Sequence, residues 1–360
     1  MTEKTKDRIG IFGGTFDPIH TGHLLFAEAA REQAGLSRVL FMPAHIQPFK
    51  QDGDALPDDD RLRVIKLATE YNPYFGVTTV ETDKGGVSYT IDSLRALRDE
   101  NPGTGICFLV GTDMFLNIEK WKDADALISE FDFVVGARPG YDGEAAEALA
   151  DKLRKSHNTG IDFVQNPLME LSSTEIRRRI RSGESIRYRV PESARRYLVV
   201  REKVGEKRFE HTKRVIDMSL DMARRFGVSE YKAGLAALLH DYCKVPAGGI
   251  ENDVMHGSMA AEAVAKEFGI KDKDVLNAIR FHTTGRAGMS KLERIIFLAD
   301  TVEPGRTYNS ISRLRETCLD DLEEGTYKVL VELKEYLLQK GLTVSEDTEA
   351  AIEELSGKVC

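Results

Sequence analysis

The chain has 360 residues, 41% of them hydrophobic, with a formal charge of −9 and a pI near 5.5. That is too long for one typical domain and apolar enough for two cores, while the acidic balance argues against general nucleic-acid binding, which needs a basic surface. No apolar stretch is long enough to span a bilayer and the charged residues 1–8 lack a signal peptide's apolar run, so a cytoplasmic protein is expected.

Residues 9–23, IGIFGGTFDPIHTGH, organise the first half. Ile9, Ile11 and Phe12 form a short apolar run that stops at Gly13-Gly14, where a backbone without Cβ can pass close to a ligand. A helix is expected to begin near Thr21. His20 and His23, one turn apart at its start, would face the same ligand, and the helix N-terminus already favours an anion. Two imidazoles add donors without fixed charge. A glycine pair after a strand is common, and this one fits neither GxGxxG nor the Walker lysine pattern. The histidines can also be surface residues or metal ligands, although no Cys, Asp or Glu stands at ligand spacing on that turn.

Further apolar runs follow at 39–42, 75–80, 106–110, 131–135 and 161–164, several separated by helix-like stretches. This alternation predicts an α/β domain with a doubly wound parallel sheet, whose ligands bind at the strand C-termini. Gly111-Thr112-Asp113 follows one such strand; Asp113 suits a ribose hydroxyl, a metal site or a plain helix cap. Trp121, the only tryptophan, reads by default as a core residue. Ser172, Ser173 and Thr174 start a helix whose first turns carry Arg177-Arg178-Arg179, a phosphate contact or a solvated basic face. The charged residues 195–207 contain a single glycine and read as a last element plus short linker. The boundary is expected near Gly205, giving domains 1–203 and 204–360.

The string GGTFDPIHTGH resembles the signature of the HxGH nucleotidyltransferases, most closely the bacterial nicotinate-nucleotide adenylyltransferases. That superfamily pairs it with an ISSTxIR-like helix start, and residues 171–177, LSSTEIR, match. The resemblance implies a Rossmann-like fold and transfer of AMP from ATP to nicotinate mononucleotide with Mg²⁺. It implies nucleotide contacts at Gly13, Gly14, Thr15, Phe16, Gly111, Asp113, Ser172, Ser173 and Thr174, and catalytic roles for His20, His23 and Arg177. Trp121 would hold the pyridine ring, and the backbone near Thr90 in Ser88-Tyr89-Thr90 would meet the nicotinate carboxylate. The sequence departs at 47–50, where the usual PPHK reads QPFK; Lys50 survives as a candidate contact and the histidine is Phe49. The chemistry needs no protein nucleophile, because the mononucleotide's own phosphate oxygens attack.

From Phe209 onward the periodicity is helical and no convincing strand returns. The stripe Val215, Met218, Met222 and Phe226 projects back to put His211 on the buried face. His240 and Asp241 end an almost wholly apolar stretch, and His256, His282 and Asp300 enter or end later apolar segments. Each alone can be a cap, but buried charge needs a partner.

The order H…HD…H…H…D resembles the HD-domain phosphohydrolases, and RFEHT, LLHDYCK, HTTGR and LERIIFLADTVEPGR resemble the YqeK-type diadenosine tetraphosphate hydrolases. The resemblance implies an all-α domain in which His211, His240, Asp241 and Asp300 hold one metal and His256 and His282 a second, with Asp241 able to bridge and to act in catalysis. Six N and O ligands without thiolate suit iron, or alternatively manganese, better than structural zinc. Two metals would place an attacking oxygen in line with a phosphorus and stabilise the leaving oxygen, cleaving the tetraphosphate symmetrically to ADP. Arg286 and Arg306 are candidates for binding polyphosphate or plain surface arginines. Between the HDYCK segment and His256 the connection is shorter than usual for the family, which puts the substrate in more doubt than the metals.

The sequence therefore reads as a bifunctional enzyme whose partners are small-molecule nucleotides, ATP, nicotinate mononucleotide and diadenosine tetraphosphate, with no nucleic acid or membrane and a homo-oligomer left open. Two rivals stand beside it. One is a different HxGH transferase, against which Trp121, SYT and LSST speak; the other makes the HD half another nucleotide phosphohydrolase or a metal-stabilised module that senses dinucleotides.

Overall fold

A computed structural model describes residues 7–46, 55–137, 142–165, 167, 169–244, 250–308 and 310–358, with 250–254 as backbone alone. Lys50 and residues 245–249 of the segment before His256 fall outside it. The chain forms two compact units, Met1–Leu198 and Val199–Cys360.

In the first unit six strands, β1 (Arg8–Gly14), β2 (Arg38–Pro43), β3 (Phe75–Val77), β4 (Gly105–Gly111), β5 (Asp132–Gly136) and β6 (Ile161–Val164), form one parallel sheet. Helices α1 (Thr21–Gln33), α2 (Asp58–Thr69), α3 (Val80–Lys84), α4 (Thr90–Glu100), α5 (Thr112–Phe115), α6 (Ala124–Glu130), α7 (Gly143–His157), α8 (Ser173–Arg181) and α9 (Glu192–Val204) connect and follow the strands. The strand order is β3-β2-β1-β4-β5-β6. It reverses between β1 and β4, so ligands belong in the crevice at their C-terminal ends. Being central, β1 is buried from Ile9 to Phe12, which is why it reads as an apolar run rather than an alternation. The run at 75–80 is shorter than expected as a strand: it stops at Val77, and Val80 already opens α3.

The expected short linker is instead helix. α9 continues to Val204, the division between units falls inside it, and only Gly205, at φ 76°, stands between α9 and the next helix. That positive φ is open to glycine at little cost and terminates the run.

The second unit is α10 (Glu206–Phe226), α11 (Glu230–Leu239), α12 (Ile250–Phe268), α13 (Lys273–Arg280), α14 (Lys291–Val302), α15 (Ile311–Asp320), α16 (Leu322–Gln339) and α17 (Glu346–Ser356). Among the described residues it holds no strand. Val215, Met218 and Met222 of α10 are buried with His211 on the same face, each apolar side chain contributing about 1.5–3 kcal/mol to the core. Ser229, Asp272 and Ser290 cap α11, α13 and α14. Cys107 and Cys318 are buried free thiols, pushed up by burial to about 11 and about 12. Among the described residues no helix is long and apolar enough to cross a membrane.

Candidate functional site

The end of β1 leads directly into the first site. The missing Cβ atoms of Gly13 and Gly14 are used by protein rather than left open to ligand. A Cβ on Gly13 would meet the Phe108 ring at 3.0 Å and one on Gly14 the Phe16 ring at 3.1 Å. Phe16, at φ 49°, is itself core, its ring packed on Phe12, His23 and Phe41. The absent side chains thus let Phe108 and Phe16 pack against this turn, and the expected backbone contacts to a nucleotide stay compatible with it.

His20 is the N-cap of α1, and the two histidines cap the helix reciprocally. His23 N donates to His20 Nδ1 at 3.3 Å, and His20 N donates to His23 Nδ1 at 3.2 Å. With each Nδ1 accepting, the proton of each neutral ring sits on Nε2. The rings stack 3.6 Å apart. Two Nε2–H donors therefore stand together at the positive end of a 13-residue helix, a preorganised anion site.

Helix α8 braces the same loop. Ser172 is its N-cap, accepting from Glu175 N, while Thr174 in the first turn is exposed. Ser173 Oγ donates to Pro18 O at 2.9 Å, and Arg177 donates to Asp17 O at 2.6 Å with the Asp17 carboxylate 3.1 Å away. Of the three arginines, Arg178 and Arg179 pair with Glu175 and Glu184, leaving Arg177 to reach the histidine loop.

Arg61, which the sequence reading missed, holds the loop from below. It is 2% exposed and donates to Thr15 O at 2.6 Å, to Leu56 O and to Asp58. Its helix looks like a solvated charged face; the signal was the apolar pair Val64 and Ile65 three and four residues on.

A second part of the site lies at the start of α4. Thr90 is its first residue, and Ser88 Oγ accepts from His45 N at 3.1 Å. Trp121 packs edge-to-face on Phe108, and its neighbour Lys122 stands 4.3 Å from the Tyr89 ring, which brings the Trp121 and SYT segments together. Glu81, also missed, accepts from Ser93 Oγ at 2.7 Å, and Ser93 bonds Tyr89 O. Burial pushes its carboxyl up. At the end of β4, Gly111 rather than Asp113 caps α5, and Thr112 Oγ1 donates to Gly136 O, tying β4 to β5. Asp113 follows within α5, its carbonyl accepting from Asn117.

In the second unit the structure brings together all six predicted ligands. His211, His240 and Asp300 offer atoms within 4.8 Å of one another, as do His240, Asp241 and His282. His256 Nε2 lies 3.1 Å from Asp241 Oδ1 and 2.9 Å from His282 Nε2. His240 and His282 donate Nδ1–H to Ala237 O and Ile279 O, so both turn an Nε2 lone pair inward. His211 Nδ1 bonds Glu303, with the same result.

These inward atoms suit a cation better than one another. His211 Nε2 is 2.9 Å from Asp300 Oδ1, yet His211 Nε2, His240 Nε2 and Asp241 Oδ1 are buried without a hydrogen-bond partner. Unsatisfied nitrogen and oxygen lone pairs converging in a buried pocket fit one or two divalent metals. Burial alone would raise Asp241 and Asp300; positive charge on the facing imidazoles outweighs it and holds both well below the carboxylate range, and a bound cation takes over that role when the rings are neutral.

Glu303 is the residue the sequence reading passed over here. Almost fully buried, it accepts from Arg214 at 2.6 Å and from Gly305 N while orienting His211. Arg306 bonds Asp300 at 3.2 Å. Arg286, the other polyphosphate candidate, forms two 2.7 Å hydrogen bonds to buried Glu293.

Residues 11–179 match the Cytidylyltransferase-like family model, and residues 208–305 match the HD domain. A protein named probable nicotinate-nucleotide adenylyltransferase from Thermoanaerobacter sp. is 41% identical over 53% of this chain and 91% of its own length. A protein of the same name from Moorella thermoacetica is 39% identical over 53% and 88%. A solved structure from Clostridium acetobutylicum, described as an HD superfamily hydrolase involved in NAD metabolism, is 32% identical over 44% of this chain and 94% of that one, with TM-score 0.42. Through its first half the chain belongs to the nicotinate-nucleotide adenylyltransferase family, and it carries an HD domain fused behind.

Proposed function

We propose that the first unit transfers AMP from ATP to nicotinate mononucleotide. The observation that carries this is the pair of Nε2–H donors at the head of α1, beside the β1–β4 crossover, in a chain whose relatives bear that enzyme's name. An oxygen of the mononucleotide 5′-phosphate attacks the α-phosphorus of ATP; the bond to the β-phosphate's bridging oxygen breaks, and pyrophosphate leaves with the electron pair. His20 and His23 stabilise charge on the α-phosphate and leaving group. Arg177 supplies the cation, Mg²⁺ arrives with ATP as part of the substrate, and the amide end of α4 takes the nicotinate carboxylate with Trp121 against the ring. Gly111 and Asp113 line the nucleotide side.

ATP is supplied with nicotinate mononucleotide, nicotinamide mononucleotide or phosphopantetheine, and products are separated. Deamido-NAD from the first, at a rate cut about 10²–10³-fold by His23→Ala, is the expected result; equal or faster use of phosphopantetheine overturns the reading.

For the HD unit we propose metal-dependent hydrolysis of a dinucleoside polyphosphate, diadenosine tetraphosphate being cleaved to ADP. Convergence of His211, His240, Asp241, His256, His282 and Asp300 supports it. Iron or manganese held there supplies charge neutralisation at a phosphoanhydride and a more acidic water. The residues hold the metals, exclude bulk water through burial, and through Asp241 join the two halves of the centre. Anaerobic incubation of iron-loaded protein with diadenosine tetraphosphate should give ADP alone; ATP plus AMP indicates an asymmetric cut, and no product rejects this substrate.

A further inference from the structure

Two arginines approach the HD centre, each through one of its two carboxylates. Arg208, near the start of α10, donates to Asp241 Oδ2 at 3.2 Å; the other oxygen of that carboxylate faces His256 and His282. Arg306, beyond α14, donates to Asp300 Oδ1 at 3.2 Å, on the His211 side. Their side chains are 35% and 42% exposed, whereas Asp241 and Asp300 are 2% and 16% exposed.

Two other arginines of the unit are bound differently. Arg286 grips Glu293 with two 2.7 Å bonds, and Arg214 places two nitrogens on buried Glu303. Such forked pairs hold a fold together. Arg208 gives Asp241 a single hydrogen bond, and Arg306 gives Asp300 one carboxylate bond plus one to its carbonyl; a guanidinium has five N–H groups. Cations entering the cluster would turn those carboxylates toward themselves and leave both arginines facing outward on long flexible stems.

We propose that Arg208 and Arg306 are the two jaws of a polyphosphate clamp, one beside each carboxylate of the metal cluster. A phosphate chain lying over the cluster is then gripped on both sides of the bond that breaks, which selects a chain continuing in both directions over a terminal phosphate. This rests on the hydrolase reading for the reaction but not for the binding.

Full-length protein loaded with Mn²⁺ is titrated calorimetrically with a diadenosine tetraphosphate carrying a methylene at its central bridge. The titration is repeated after chelator stripping, so the difference isolates the metal-dependent site. Arg208→Ala and Arg306→Ala should each weaken that binding about tenfold or more while keeping the wild-type manganese content. Unchanged affinity in either variant overturns the clamp, as does absence of metal-dependent binding in the wild type. So does a parallel loss of manganese, which would make the arginines supports for the ligands. Wild-type protein that binds the analogue but leaves the natural tetraphosphate uncleaved rejects the hydrolase reading and retains the clamp.

Discussion

Two buried carboxylates act through other residues, and each makes a distinct prediction. Glu303 receives Arg214 and Gly305 N while holding His211 Nδ1, so its charge fixes which nitrogen His211 presents to the cluster. Glu303→Gln should lower metal affinity about 10–100-fold in chelator competition, a typical cost for losing such a support; wild-type affinity would show that His211 needs no anchor. Glu81 differs because burial raises its carboxyl above the ordinary 4.5. The folded chain then binds the proton more tightly than the unfolded chain. That contribution is fully present below the ordinary value and is lost as pH rises through the raised one. Glu81→Gln should therefore gain in melting temperature relative to wild type as the pH rises above the ordinary value. A pH-independent difference would contradict the argument.

Between helices, one glycine decides how closely the second unit can close around its ligands. Gly257 follows His256 on α12, and a Cβ there would meet Arg280 O at 2.5 Å and Ile279 O at 3.1 Å. Ile279 O is also the acceptor that orients His282. Gly257→Ala should push α12 off α13, cost about 1–3 kcal/mol, and separate His256 from His282. Metal analysis should show a reduced manganese content in the folded variant; full content with wild-type melting would mean that the helices absorb the methyl group. Such contacts explain what the sequence concealed. Helix existence and the placement of His211, His240 and Asp300 were legible because period and apolar runs are local. Gly257, Arg61 and Glu303 were not, since their roles arise from residues far along the chain. The brief β3 was overextended because Val80 suits a strand by composition yet begins α3.

At the level of the molecule, the two units answer differently to metal removal. On the proposed functions the first needs only the Mg²⁺ that arrives with ATP, whereas the second gathers its candidate ligands from its own side chains. Prolonged chelation followed by Mg²⁺ should restore adenylyl transfer alone; hydrolysis should return only with manganese or iron. Calorimetry should show metal raising the second unit's stability, by about 4 kcal/mol at a thousandfold excess over Kd. If Mg²⁺ alone restores both activities, the cluster does not discriminate as its nitrogen-rich donors imply.

The reciprocal cap of His20 and His23 has a consequence for how such a sequence can drift. Each ring accepts from the other residue's backbone amide, so replacing one histidine removes one donor and one cap bond but leaves the survivor's Nδ1 still accepting from the backbone, and His23 N also keeps its 2.9 Å bond to His20 O. The survivor therefore keeps its tautomer and its Nε2–H, and the double variant should be markedly slower than either single one. Evolution meets the pair as two separable halves: a chain that loses one ring still holds the other in place, so drift can pass through a half-working intermediate.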